Sequence, residues 1–183
     1  MILYTVVPCY NEEDALPETV RILSDKYFTL MRKGMISEES RILLVDDGSS
    51  DDTWNMIREY HDKKPIFCGL KLSRNRGHQN ALYAGLMAAA PHCDAAVSID
   101  ADLQDDVDAI DQMIVKFDDG YDIVYGVRNK RDSDKFMKRF TAEGYYKIMR
   151  LCGAQIIFNH ADFRLMSRRA IEALSEFEEV NLF

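Results

Sequence analysis

Short apolar runs alternate along the chain with stretches in which apolar residues recur every three to four positions, a pattern that predicts strands alternating with amphipathic helices. The first run, residues 2–7, meets Pro8, which cannot donate to a sheet ladder and so ends the strand. Asn11 is read as the cap of the following helix, with Glu12 and Glu13 in its first turn. Leu16, Val20, Leu23, Tyr27 and Leu30 form the inner face of that helix, which ends near Gly34. A second strand over 41–45 leads into Asp46-Asp47-Gly48, where glycine permits a tight turn, and Ser50 or Asp51 caps a helix that carries Trp54, Ile57 and Tyr60 inward. Residues 66–72 form a third strand, 73–79 a loop, and 80–90 a helix whose Ala81, Ala84, Gly85 and Ala88 allow close packing on a sheet.

The fourth strand is placed at 95–100, followed by a helix with Ile110, Ile114 and Phe117 at core spacing, which Gly120 stops. A fifth strand covers 122–126. Such alternation implies right-handed βαβ units and an α/β fold with a mostly parallel central sheet. Beyond it, 156–158 and 163–166 are short strand candidates and 167–177 is a helix. Residues 1–183 read as one domain. The hydrophobic, uncapped stretch 180–183 reads as a cut through a longer protein.

Composition narrows the function classes. The chain has 183 residues, enough for one large core, and 31 acidic against 23 basic residues give a net charge of -8. That balance argues against a general nucleic-acid partner, which needs a basic footprint. The four cysteines are scattered without a C-x-x-C pair, as expected of free thiols in a reducing cytosol. The four histidines show no zinc spacing and read as surface or packing residues. Met1 leads directly into a strand-like run, against a signal peptide. The longest weakly polar run, 81–90, stops at Pro91 and is too short to cross a bilayer.

The chemistry concentrates where the fourth strand stops, in Ser98-Ile99-Asp100-Ala101-Asp102-Leu103-Gln104. Carboxyl ends of parallel strands open on the ligand cleft of α/β sheets. Two carboxylates in i, i+2 relation repel unless water or a cation lies between them. Asp100 and Asp102, with the Gln104 amide, form an all-oxygen set suited to Mg²⁺ or Mn²⁺. Taken alone, the same acids also read as a solvated turn with a helix cap. The segment 128–139 reverses the acidic trend with Arg128, Lys130, Arg131, Lys135, Lys138 and Arg139. It is read either as an anion dock beside the cleft or as a solvated helix start.

Five motifs occur in order: Pro8-x-Tyr10-Asn11-Glu12, Asp46-Asp47-Gly48-Ser49, Arg74-Asn75-x-Gly77, Asp100-Ala101-Asp102-Leu103-Gln104-Asp105 and Asp162-Phe163-Arg164-Leu165. Together they resemble family 2 glycosyltransferases, in the branch of dolichyl-phosphate mannosyltransferases and bacterial polyprenyl-phosphate glucosyltransferases. The resemblance implies a GT-A, Rossmann-like fold, a nucleotide-sugar donor and inversion at the anomeric carbon. It also implies that Asp100, Asp102 and Gln104 hold the metal against the donor diphosphate. By the same resemblance Pro8, Tyr10 and Asp47 line the base and ribose pocket, Asp47 accepts from a ring N–H, and Glu12 meets the ribose or supports its loop. The other reading of Tyr10 and Glu12 is a packed ring and a helix-dipole acid. Two departures bear on the acceptor side: Asp105-Asp106-Val107-Asp108 stands where the branch has D-P-P-E, and His160-Ala161 where several relatives have Gly-Gly.

A lipid phosphate acceptor is already anionic at neutral pH and needs no general base. It needs charge neutralisation, for which Arg128 and Arg131 are the candidates, with Lys130 a weaker third. Asp162 is either a base or the residue that holds Arg164 and orients the acceptor loop. A sugar hydroxyl acceptor and a non-catalytic nucleotide-binding domain are the alternative functions. A nucleotidyltransferase would show a Gly-rich loop after the first strand, and an aspartyl phosphatase D-x-D-x-T; the chain has neither. The resemblance further implies a catalytic domain on the cytoplasmic face of the membrane, anchored through the rest of a longer protein. A homo-oligomer is compatible with the pattern.

Overall fold

The computed structural model of the chain describes residues 1–127 and 160–176. Six strands form one sheet: β1 (Leu3–Cys9), β2 (Arg41–Asp46), β3 (Phe67–Lys71), β4 (Ala95–Ser98), β5 (Ile123–Val127) and β6 (His160–Ser167), in the spatial order β3-β2-β1-β4-β6-β5. β1 pairs in parallel with β2 and β4, and β2 with β3. β6 runs antiparallel to both β4 and β5, so the sheet is mostly parallel with one reversed strand. The α-helices among the described residues are α1 (Leu16–Arg32), α2 (Thr53–Lys63), α3 (His78–Ala89), α4 (Ala109–Asp118) and α5 (Arg168–Leu174).

Both sheet faces are covered, which is why the inner strands β1, β2 and β4 are buried without alternation. Ile42 and Leu44 face a core completed by α1 and α4, while Leu43 and Val45 face a second core under α3 and α5. The five apolar positions expected on the inner face of α1 are all buried. Each such side chain contributes about 1.5–3 kcal/mol on burial. On the same helix the fully buried Tyr27 hydroxyl meets Thr5 Oγ1 of β1 at 2.8 Å and donates to the Arg41 carbonyl at 3.2 Å, tying α1 to two strands. α3 packs as closely as its small residues allow: a Cβ on Gly85 would come within 2.4 Å of Val6 Cγ1.

Several boundaries differ from the sequence reading. β4 stops at Ser98, because the chain turns there and Leu103 N–H already bonds back to the Asp100 carbonyl at 3.2 Å. α3 begins at His78 rather than residue 80, and β5 is shifted to Ile123–Val127. Asn11 does not cap α1. Its φ of 55° is left-handed, and the helix starts after Ala15 with proline in its first turn. Before α2, Asp52 occupies the cap position without a side-chain bond to the helix backbone, while Asp51 Oδ1 accepts the Thr53 N–H at 3.1 Å from one place earlier. The strand candidate 156–158 lies outside the described residues.

Candidate active site

β1 sits at the point where strand order reverses, with β2 on one side and β4 on the other, and the crevice beyond the carboxyl ends of such strands is where α/β sheets take ligands. The loops after β1 and β2 are stitched across that crevice. Asn11 N–H donates to Ser49 Oγ at 3.0 Å, and Asn11 Oδ1 accepts the Ser50 N–H at 2.9 Å. Glu12 N–H donates to the buried Thr53 hydroxyl at 2.9 Å, and Asp47 N–H to the Cys9 carbonyl at 2.9 Å. Asn11 thus works as a brace between loops, a role that requires its left-handed backbone.

A third loop closes the pocket. Asp47, 2% exposed, accepts the N–H groups of Arg76 at 2.7 Å and Gly77 at 2.8 Å, one on each carboxylate oxygen. Gly48 lets this loop approach: its φ is 71°, and a Cβ there would lie 2.5 Å from the Arg74 carbonyl carbon. The result is a cavity of about 170 Å³ walled by Pro8, Tyr10, Glu12, Asp47, Gly77 and His78. Pro8, Tyr10 and Asp47, expected to line one pocket, line this one, and Glu12, expected to meet the ribose or support its loop, lies in the same wall. The volume falls below the ~300–1,000 Å³ of a drug-sized site, so it suits one ring of a larger ligand that extends over the strand ends. Tyr10 is 47% exposed at the mouth, which excludes the packed-ring reading and leaves an aromatic face open to stacking. A larger hollow of about 740 Å³ lies elsewhere, between α1 and the segment before α4, and its charged walls largely pair with one another.

The acid pair lies beside the smaller cavity, in the turn after β4. Gln104 donates its backbone N–H to Asp102 Oδ1 at 3.2 Å and an amide N–H to Asp102 Oδ2 at 2.6 Å, so its side chain holds the Asp102 carboxylate. His78 Nε2 approaches Asp100 Oδ1 at 3.4 Å. Burial lifts the Glu12 carboxyl above its ordinary range, and the negative charges of Asp102, Asp51 and Asp100 lift it further. These carboxylates therefore share one crowded negative field. No three acidic, histidine or cysteine side chains among the described residues form a ready-made cage. The donor set nevertheless fits Mg²⁺ or Mn²⁺, which bind through one or two carboxylates plus phosphate oxygens and water.

The backbone of Asp162 lies in β6, and the register that sets Ser98 opposite Arg164 brings it to the carboxyl edge of β4. Arg164 itself is buried. Arg128 and Arg131 lie outside the described residues; β5 ends at Val127, immediately before Arg128, at the same edge of the sheet. His78 and Asn75 are pocket residues that the sequence reading missed. The signal available was the Arg74-Asn75-x-Gly77 motif, to which no role was given, and the isolated histidine next to it.

Residues 4–175 match the sequence profile of glycosyl transferase family 2. The chain belongs to this family. Among family 2 relatives, the uncharacterized glycosyltransferase YkoT of Bacillus subtilis is 47% identical over 182 residues, covering 100% of this chain and 54% of its own length. The bactoprenol glucosyl transferase of Shigella phage SfV is 37% identical over 187 residues, covering 100% of this chain and 57% of its own. The chain thus spans a little over half the length of the curated relatives it matches. Among solved structures, the mannosyltransferase PcManGT from Pyrobaculum calidifontis, in complex with GDP-Man and Mn²⁺, superposes with a TM-score of 0.62 at 19% identity, over 96% of this chain and 47% of that one. This likeness bears out the GT-A fold expected for the family.

Proposed function

We propose that the chain is the catalytic domain of an inverting glycosyltransferase that moves a sugar from a nucleotide-sugar donor, of UDP-glucose or GDP-mannose type, to a polyprenyl phosphate. The observation that carries the donor half is the convergence of Pro8, Tyr10, Glu12 and Asp47 on one cavity beside Asp100 and Asp102. The 37% identity to a bactoprenol glucosyl transferase supports the acceptor half.

In this reading the nucleoside enters the cavity and the diphosphate lies over the acid turn. Asp100 and Asp102 would hold Mg²⁺ or Mn²⁺, with Gln104 fixing the Asp102 carboxylate. When bound, the cation supplies Lewis-acid stabilisation of the leaving diphosphate. The acceptor phosphate oxygen attacks the anomeric carbon, the new C–O bond forms as the bond to the nucleoside diphosphate breaks, and configuration inverts. No general base is required, since the phosphate monoester is already ionised. Arg128 and Arg131 neutralise the incoming anion, and Asp162 orients the acceptor loop through Arg164. Such an enzyme works at the cytoplasmic face of the membrane, where its lipid acceptor resides. Among the described residues no helix is long and apolar enough to cross a membrane.

A thermal-shift panel of UDP-glucose, UDP-N-acetylglucosamine and GDP-mannose, with and without Mn²⁺, tests the donor half without an acceptor. One donor is expected to stabilise the protein in a metal-dependent way, and Asp102→Asn is expected to abolish that dependence while folding normally. Stabilisation by none of them, or equal stabilisation of the Asp102→Asn protein, overturns the reading.

A further inference from the structure

Two polar side chains on the buried face of α1 touch the segment that bears the acid pair. Thr19 is 2% exposed, and its hydroxyl reaches the carbonyl of Ala101, the residue between Asp100 and Asp102, at 2.5 Å. Lys26 is seven residues further on, two helical turns along the same stripe. Its ammonium group bonds Asp108 at 2.8 Å and pairs also with Asp111. Burial pulls the Lys26 pKa down, but its bonds to Asp108 and Asp111 outweigh that and leave it above the ordinary lysine value. The ion pairs therefore stay formed at neutral pH. The segment from Ala101 to Asp111 is thus held to α1 at both ends, and Asp102, Leu103 and Gln104 lie between the two holds.

A threonine and a lysine on the core side of a helix are costly unless their polar atoms are satisfied. Thr19 also lies within 3.0 Å of the Ala15 carbonyl one turn back, so the helix offers its single proton a local acceptor, yet the contact to Ala101 is the shorter. The geometry points to Thr19 and Lys26 as positioning residues for the Asp100–Asp102 pair. Thr19 fixes the orientation of the Ala101–Asp102 peptide, the second of the two peptides between the acids. That peptide plane sets the angle between two side chains in i, i+2 relation, and hence whether both can face one cation. Lys26 anchors the exit of the turn, so that the left-handed Leu103, with φ of 47°, keeps Asp102 in place. Neither residue contacts the ligand; both act through the backbone of the acid turn. This inference rests on the reading that Asp100 and Asp102 bind a divalent cation.

The test measures Mn²⁺ affinity by electron paramagnetic resonance in the presence of UDP or GDP, whichever the unmodified protein binds, alongside nucleotide affinity without metal. Thr19→Val keeps the shape and removes the hydroxyl. It is expected to weaken Mn²⁺ about tenfold, the low end of what residues supporting metal ligands contribute, while metal-free nucleotide affinity stays within about twofold. Thr19→Ser is expected to restore Mn²⁺ binding. Lys26→Met carries the same expectation and serves if Thr19→Val does not fold. Unchanged Mn²⁺ affinity in folded Thr19→Val and Lys26→Met overturns the inference. So does an equal loss of metal and metal-free nucleotide binding that serine fails to rescue, because that marks a general structural role. If the unmodified protein binds nucleotide with no response to Mn²⁺, the metal reading itself falls, a result distinct from either of these.

Discussion

Asp47 Oδ2 accepts the Gly77 N–H at 2.8 Å, linking the end of β2 to the start of α3 across the mouth of the pocket. With the parallel bond from Arg76 at 2.7 Å, a buried carboxylate spends one lone pair of each oxygen on the loop that walls the cavity. Asp47 is therefore a structural member of the pocket as well as a candidate ligand contact. Removing it takes the acceptor from the Arg76 N–H and leaves the Gly77 N–H only its bond to Asn75 Oδ1 at 2.9 Å. Asp47→Ala is expected to lose about 2–4 kcal/mol of stability and most nucleotide affinity. Chemical denaturation and nucleotide titration check both; wild-type stability in this variant would show that the carboxylate does not hold the 74–77 loop.

Gly48→Ala tests the same closure from the other side. A methyl group there must sit in a left-handed backbone and push on the Arg74 carbonyl carbon from 2.5 Å, with no flexible side chain to give way. A loss of about 2–4 kcal/mol is expected from the combined backbone and packing penalties. The pocket is expected to widen, so nucleotide affinity falls with stability. Calorimetry and a binding isotherm on the same sample decide it, and a variant as stable as the parent contradicts the close approach.

Glu12→Gln is expected to raise the melting temperature of the nucleotide-free protein. The carboxyl is held above its ordinary range by burial and by Asp102, Asp51 and Asp100, so its ionised form opposes folding at neutral pH. Removing the charge relieves that opposition, and each kcal/mol recovered is worth about 2–4 °C in a domain of this size. The advantage is expected to shrink as pH falls through the raised pKa, where the wild-type residue takes up a proton. Equal or lower melting temperature at pH 7 would contradict the crowded negative field.

Asp111 carries the opposite sign. Burial raises its pKa, but Lys26 and Lys33 outweigh burial and hold the carboxyl below its ordinary range. A depressed folded-state pKa stabilises the protein fully above the unfolded value, about 4, and that contribution disappears as pH falls through the folded value. Asp111→Asn is therefore expected to cost stability at pH 7 and progressively less below about pH 4. Urea midpoints at several pH values test this; a penalty independent of pH would show that the ion pairs contribute nothing.

The parts of the fold legible in the sequence are those where one local pattern has one solution. The runs at β1, β2 and β4 are apolar because both faces are covered, and Leu16, Val20, Leu23, Tyr27 and Leu30 could only line a buried helix face. The direction of β6 was not legible, since strand polarity depends on where the preceding chain returns and not on residue pattern. Asn11 looked like a cap because its chemistry suits one, but its partner, Ser50, is 39 positions away. Thr19 and Lys26 carried no signal in the sequence for the same reason: their partners, Ala101 and Asp108, are each 82 positions distant. The pocket assignment of Pro8, Tyr10, Glu12 and Asp47 came through motif resemblance, whereas His78 and Asn75 required the fold to bring the third loop over.

β6 is the one strand of the sheet that runs against its neighbours, and this has a consequence for how such a chain can diversify. β5 ends and β6 begins at the same carboxyl edge where β1, β2 and β4 present Tyr10, Asp47 and Asp100. The described chain therefore leaves the sheet at Val127 and re-enters it at His160 on the rim of the crevice. In the proposed reading, where Arg128 and Arg131 meet the acceptor and the loops after β1, β2 and β4 meet the donor, the two recognition tasks fall in separate intervals of sequence that can change at different rates.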